Sequence, residues 1–136
     1  MLEPTWIALV DDDLSVRRSL PRLLRSAGYE TLAFASAQEL LDSECVQKVR
    51  CFVLDIHLER TTGFELLERL REAGSKAPAI FITAYDDDSS HERARSLDAA
   101  GFLRKPFDGS ALLDVIARVI EKRPGLHAVP DPGRTG

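Results

Sequence analysis

Apolar residues fall in five short runs, and the longer stretches between them carry apolar positions at helical spacing. The runs at 6–10, 31–34, 51–55, 79–83 and 101–104 are strand candidates, too short for helices and dominated by aliphatic and aromatic side chains. Residues 14–27 place Val16, Leu20, Leu23 and Leu24 on one helical face, with Arg17, Arg18, Arg22 and Arg25 largely elsewhere and Gly28 as the stop. Pro21 sits inside this segment, where it removes a backbone donor and is expected to kink the helix. Ser36 and Glu39 stand at capping-box spacing at the head of a second helix. Residues 62–73 carry Phe64, Leu66, Leu67 and Leu70 before Gly74, and Asp108 can cap a last helix built on Leu112, Val115, Ile116 and Val119. The stretch 87–100 is different: its single large apolar residue is Leu97, so a helix there is expected to be weakly held. The acids Asp86, Asp87 and Asp88 would lie at that helix's positive end.

Strands alternating with helices imply a parallel sheet covered on both faces, and 136 residues with 44% hydrophobic content suit one such domain, assigned to residues 1–121. Residues 122–136, rich in Pro and Gly without apolar period, read as a disordered tail or a severed linker. A net charge of −4 argues against a general nucleic-acid surface. Cys45 and Cys51 have neither metal-ligand spacing nor disulfide-scaffold density; they read as reduced structural thiols, Cys45 ending the second helix and Cys51 entering a central strand. No apolar stretch approaches the roughly 18 residues of a membrane span and no leader pattern opens the chain, so a cytoplasmic location is expected.

The chemistry sits at the strand ends. Right-handed crossovers place every strand's carboxyl end on one edge, bringing Asp11, Asp12, Asp13, Asp55, Thr83 and Lys105 to a common rim. At about 4 Å and an effective dielectric near 20, each like-charged pair costs about 4 kcal/mol, so such convergence needs a cation or a basic side chain. Taken alone, Asp12 or Asp13 reads as a helix cap, Thr83 as a strand-end hydroxyl and Phe102 as core; taken together with Asp55 and Lys105 they form a set.

The motifs VDDD, VLD, FITA and GFLRKPF, in this order and spacing, closely resemble the receiver domain of two-component response regulators over residues 5–120. LSVRRSLPRLLRSAGYE and the KPF ending look most like receivers of the nitrogen-fixation regulator type. The resemblance implies a flavodoxin-like, doubly wound, five-stranded parallel sheet of order 2-1-3-4-5 with five helices. It implies that Asp55 accepts a phosphoryl group, and that Asp11, Asp12, Asp55 and the His57 backbone carbonyl hold Mg²⁺ or Mn²⁺, Asp12 directly and Asp11 largely through water. Asp13 matches a variable auxiliary acid. Lys105, preceding a cis Pro106, would contact the phosphoryl oxygens, while Thr83 and Phe102 would form the switch. His57 and Tyr85 match positions that modulate phosphoryl lifetime. Many relatives carry proline where this chain has Glu59, which bears on loop shape and access and adds negative charge nearby.

The implied partners are a histidine kinase or phosphotransfer protein, docking in part on the first helix, and an output protein or output domain; a phosphorylation-dependent homodimer is a further output of this class. The arginines of the first helix read equally as a solvated face. Competing readings are an aspartate-nucleophile phosphatase, a DNA-binding regulator cut after its receiver, and a degenerate receiver used for contacts alone. The phosphatase class usually has a second acid two residues after its nucleophile, where this chain has His57, and nothing in the chain reads as a helix-turn-helix.

Overall fold

The computed structural model describes residues 4–85 and 87–121; the tail expected at 122–136 lies outside the described residues. Strands β1 (Thr5–Val10), β2 (Tyr29–Phe34), β3 (Val49–Asp55), β4 (Ala79–Thr83) and β5 (Gly101–Arg104) alternate with helices α1 (Leu14–Ser26), α2 (Ala37–Asp42), α3 (Gly63–Glu72), α4 (Asp88–Ser96) and α5 (Gly109–Glu121). The sheet has the order β2-β1-β3-β4-β5 and every pairing is parallel. The order reverses at β1, between β2 and β3, so the crevice beside the ends of β1 and β3 is the expected site in a doubly wound sheet.

Strand periodicity divides the core. Ala8, Val10, Phe52, Leu54 and Phe81 face one layer with Leu40 of α2 and Leu66, Leu67 and Leu70 of α3. Ile7, Leu9, Cys51, Val53, Ile80 and Ile82 face the other with Leu20 and Leu24 of α1 and Leu112 and Ile116 of α5. Residues of β4 are buried throughout, which is why this strand reads as an unbroken apolar run rather than an alternating one.

Gly28 (φ 97°) and Gly74 (φ 96°) adopt the left-handed conformation just past α1 and α3, where residues with a Cβ are strained. Strands β2 and β3 begin earlier than their apolar runs, because Tyr29 and Val49 are already in register with Thr5 and Trp6. Helix α1 continues through Pro21 to Ser26, the ring removing a single intrahelical donor. Ser36 Oγ accepts from Glu39 N (3.1 Å) as the capping box requires, but Glu39 Oε1 accepts from Ala35 N (3.0 Å), one residue ahead of the cap. Because α2 stops at Asp42, Cys45 does not end it but precedes a short 3₁₀ turn (Val46–Lys48). Helix α4 forms with Ser90 and Ala94 as its buried residues, and Asp87 caps it by accepting from Ser90 N (2.8 Å). Among the described residues no helix is long and apolar enough to cross a membrane.

Candidate functional site

Asp11 follows the last residue of β1 and is fully buried, its amide donating to Phe34 O (3.1 Å) so that the chain leaves the sheet in a fixed direction. Its Oδ1 accepts from Asp13 N (2.9 Å). Asp13 turns the chain into α1 by accepting from Ser15 N and Ser15 Oγ, both at 2.9 Å; those hydrogen bonds hold its carboxyl below the usual range. The capping duty of the acid run therefore falls on Asp13, leaving Asp11 and Asp12 at the rim.

Asp55 ends β3 and is 5% exposed. Ligand oxygens of Asp11, Asp12 and Asp55 lie within 4.8 Å of one another, Asp12 being the exposed member. Lys105 answers their charge: its Nζ stands 2.8 Å from Asp11 Oδ2 and 3.3 Å from Asp55 Oδ2. Backbone pairing aims it, Lys105 N donating to Thr83 O (2.7 Å) at the end of β4, and the Lys105–Pro106 bond is cis. Burial above all, then the Asp11 charge, pushes Asp55 from 3.8 up to about 6, against the opposing pull of Lys105 and the His57 N–H. Burial opposes the Lys105 charge as well, but Asp11 and Asp55 outweigh it and raise its pKa.

Asp11 Oδ2 meets the Lys105 ammonium at 2.8 Å and, apart from that contact, has no hydrogen-bond partner among the described residues. Three clustered carboxylates with one under-satisfied buried oxygen suit a hard divalent cation that takes oxygen ligands, and fit Mg²⁺ or Mn²⁺ better than a softer metal.

The other predicted residues are distributed around this centre. Thr83 is buried at the end of β4, but its hydroxyl is engaged: it donates to Tyr85 O (2.9 Å) and accepts from Tyr85 N (3.0 Å). The exposed rings of His57 and Tyr85 meet edge to face at 5.1 Å between centroids, from the β3–α3 and β4–α4 loops. Phe102 packs against the α3-side core and stacks on His91 of α4. Glu59 stands outside the acid cluster and lines a separate groove with Ser36, Gln38, Arg60 and Arg69.

Two contributors escape sequence reasoning. Gly63 opens α3 so close to the acceptor strand that a Cβ there would lie 2.5 Å from the Asp55 carbonyl oxygen, and its amide donates to Ile56 O (2.9 Å). A glycine at a helix start is the one sequence trace of this contact. Arg17 turns back from α1 so that its Nη1 donates to Asp11 O (3.0 Å), fixing the acid loop from below. Neither reading of the α1 arginines, as a solvated face or as a kinase-docking surface, predicts this contact.

Residues 7–117 match the model of the response regulator receiver domain. This chain belongs to that family. Similar proteins include Nodulation protein W of Bradyrhizobium diazoefficiens, 39% identical over 116 residues, covering 85% of this chain and 51% of that protein. Transcriptional regulatory protein FixJ of Azorhizobium caulinodans is 34% identical over 116 residues, covering 85% of this chain and 55% of that protein. Among solved structures, a CheY-like receiver domain protein from Methanospirillum hungatei superposes with a TM-score of 0.80 at 26% identity, covering 88% of this receiver and 95% of that chain. The likeness to the nitrogen-fixation regulators and the flavodoxin-like order 2-1-3-4-5 both hold, and this receiver spans about half the length of the curated relatives it matches.

Proposed function

We propose that this receiver is a phosphoacceptor switch in a two-component phosphorelay, with Asp55 as the acceptor. The observation that carries this reading is the Lys105 ammonium held between Asp11 and Asp55 at the carboxyl edge of the sheet. An Asp55 carboxylate oxygen would attack the phosphorus of a phosphohistidine, the P–N bond would break, and the imidazole would leave with the electron pair and take up a proton. The product is an acyl phosphate on Asp55. Asp11, Asp12, Asp55 and the His57 carbonyl would hold Mg²⁺ or Mn²⁺, which when bound shares the charge on the phosphoryl oxygens. Lys105, already facing Asp55, exchanges a carboxylate partner for a phosphoryl oxygen. His57 and Tyr85, whose exposed rings meet edge to face, would govern the approach of water and so the lifetime of the acyl phosphate.

Signalling then runs through Thr83. Its hydroxyl proton leaves Tyr85 O for a phosphoryl oxygen, which frees the β4–α4 loop, and Phe102 moves inward behind it. A hydrogen bond to a charged group contributes roughly 1.5 to 3 kcal/mol, whereas moving an equilibrium from 1:99 to 99:1 takes about 5.5. Thr83 alone is insufficient. Burying more of Phe102, worth up to roughly 1.5 to 3 kcal/mol, together with the Lys105 contact closes the gap. The partners are a histidine kinase or phosphotransfer protein and an output protein or domain. A groove of about 480 Å³ between α1 and the cis-proline turn, lined by Val16, Leu20, Ala84 and Phe107, gives the phosphodonor a surface beside Lys105.

The test is Mg²⁺-dependent uptake of one phosphoryl group from a small phosphodonor, followed by intact mass. A stoichiometric adduct lost on chelation supports the switch; multiple turnover of a phosphomonoester without a stable adduct would support the phosphatase reading instead.

A further inference from the structure

We propose that His91 is a positioning residue for Phe102, holding that ring in its resting place by stacking. The inference rests on the reading that Phe102 moves inward when Asp55 is phosphorylated. The His91 and Phe102 rings lie 4.0 Å apart between centroids with 27° between their planes, a stacked arrangement bridging α4 and β5. Among the described residues, α4 reaches the core through few large apolar side chains. Its buried side chains, Ser90 and Ala94, are small, and the large apolar residue nearby, Leu97, lies beyond its end. Phe102 pairs in register with Phe81 and Thr83 pairs with Arg104, so strand alternation puts Phe81, Thr83 and Phe102 on one face of the sheet. Phe102 is partly exposed on that face, packed on the α3-side core, with His91 stacked on it from the helix side.

Near-parallel stacking at this distance exists for one orientation of the Phe102 ring, and inward movement parts the two rings. The stacking free energy therefore belongs to the resting state alone, and the imidazole opposes the switch. Aromatic pairs carry coupling that corresponds to about 2- to 12-fold in an equilibrium constant. Removing the His91 ring should raise the population of the inward state, and with it affinity for a phosphoryl mimic, by that factor. The resting hold on Phe102 would thus be set by a helix residue that never touches the phosphoryl group.

The experiment measures apparent affinity for beryllium trifluoride with saturating Mg²⁺, by ¹⁹F NMR, in the full chain and in His91→Ala, His91→Phe, Phe102→Leu and His91→Ala/Phe102→Leu. The expected result is a 2- to 12-fold gain for His91→Ala, return to within about twofold of the parent for His91→Phe, and no His91→Ala effect in the Phe102→Leu background. A His91→Phe variant that behaves like His91→Ala, or a His91→Ala gain that persists without Phe102, would overturn the proposal by showing that His91 acts through the helix. If Phe102→Leu shifts affinity while His91→Ala does not, the positioning role alone fails. If Phe102→Leu changes nothing, the aromatic switch fails and takes this proposal with it.

Discussion

Asp55→Asn should make the metal-free protein more stable, although it removes the proposed acceptor. Asp55 is 5% exposed and shares Lys105 with a fully buried Asp11, so two carboxylates compete for one ammonium. A rise from 3.8 to about 6 corresponds to about 3 kcal/mol of preference for the neutral carboxyl. The rim opens on solvent, and after screening about 1 to 2 kcal/mol should remain. The native protein holds this proton more tightly than the unfolded chain does. The contribution of Asp55 to stability therefore falls as pH rises from about 4 to about 6 and stays low above that. Asparagine has no such proton, so the variant's gain should be absent near pH 4 and complete by about pH 7. With a urea slope of roughly 2 kcal/mol/M, the midpoint should rise by about 0.5 to 1 M at pH 7.5 in chelator. Excess Mg²⁺ should shrink or reverse the difference, because the parent retains all three clustered carboxylates. A variant less stable than the parent at pH 7.5, or a difference independent of pH between 4 and 7, would refute the argument that burial and the Asp11 charge oppose ionisation of Asp55.

Gly63→Ala brings a Cβ to 2.5 Å from the Asp55 carbonyl oxygen, a backbone atom with no freedom to yield; urea unfolding should show a loss of about 1 to 3 kcal/mol. Asp87→Ala removes the cap of α4, and amide exchange should accelerate across Asp88–Ser96 by about fivefold, corresponding to about 1 kcal/mol, with little change in α3. Burial pushes the Cys51 thiol up to about 12, whereas Cys45 is partly exposed, so alkylation of the native protein at pH 8 should modify Cys45 first and Cys51 at the rate of unfolding.

The fold was legible because parallel strands and their helices write different periods into the chain. The buried run of β4 and the left-handed glycines at 28 and 74 mark boundaries that depend on local chemistry. The acid rim was legible for a related reason: a parallel sheet gathers its strand ends, so Asp11, Asp55, Thr83 and Lys105 could be grouped before any distance was known. Side-chain direction was not legible. Nothing in the order of residues says that the Thr83 hydroxyl bonds both backbone groups of Tyr85, or that Glu59 lines the groove beside α2. Pro21 lies within α1, which runs on to Ser26 with Leu20 and Leu24 buried in the core, so one missing hydrogen bond does not end the helix. The stacking of His91 on Phe102 was hidden by the polar composition of α4, which carries no apolar period to draw attention to that face.

The central claim, that the rim is built to phosphorylate Asp55, is tested most directly by locating the phosphoryl group. After incubation with Mg²⁺ and a small phosphodonor, the acyl phosphate can be reduced with borohydride, which converts the phosphorylated aspartate to homoserine, and mapped by peptide mass spectrometry. Conversion is expected at position 55 alone, lost with chelator and lost in Asp55→Asn. Conversion at Asp11 or Asp12 in the parent, or undiminished labelling of Asp55→Asn, would contradict it.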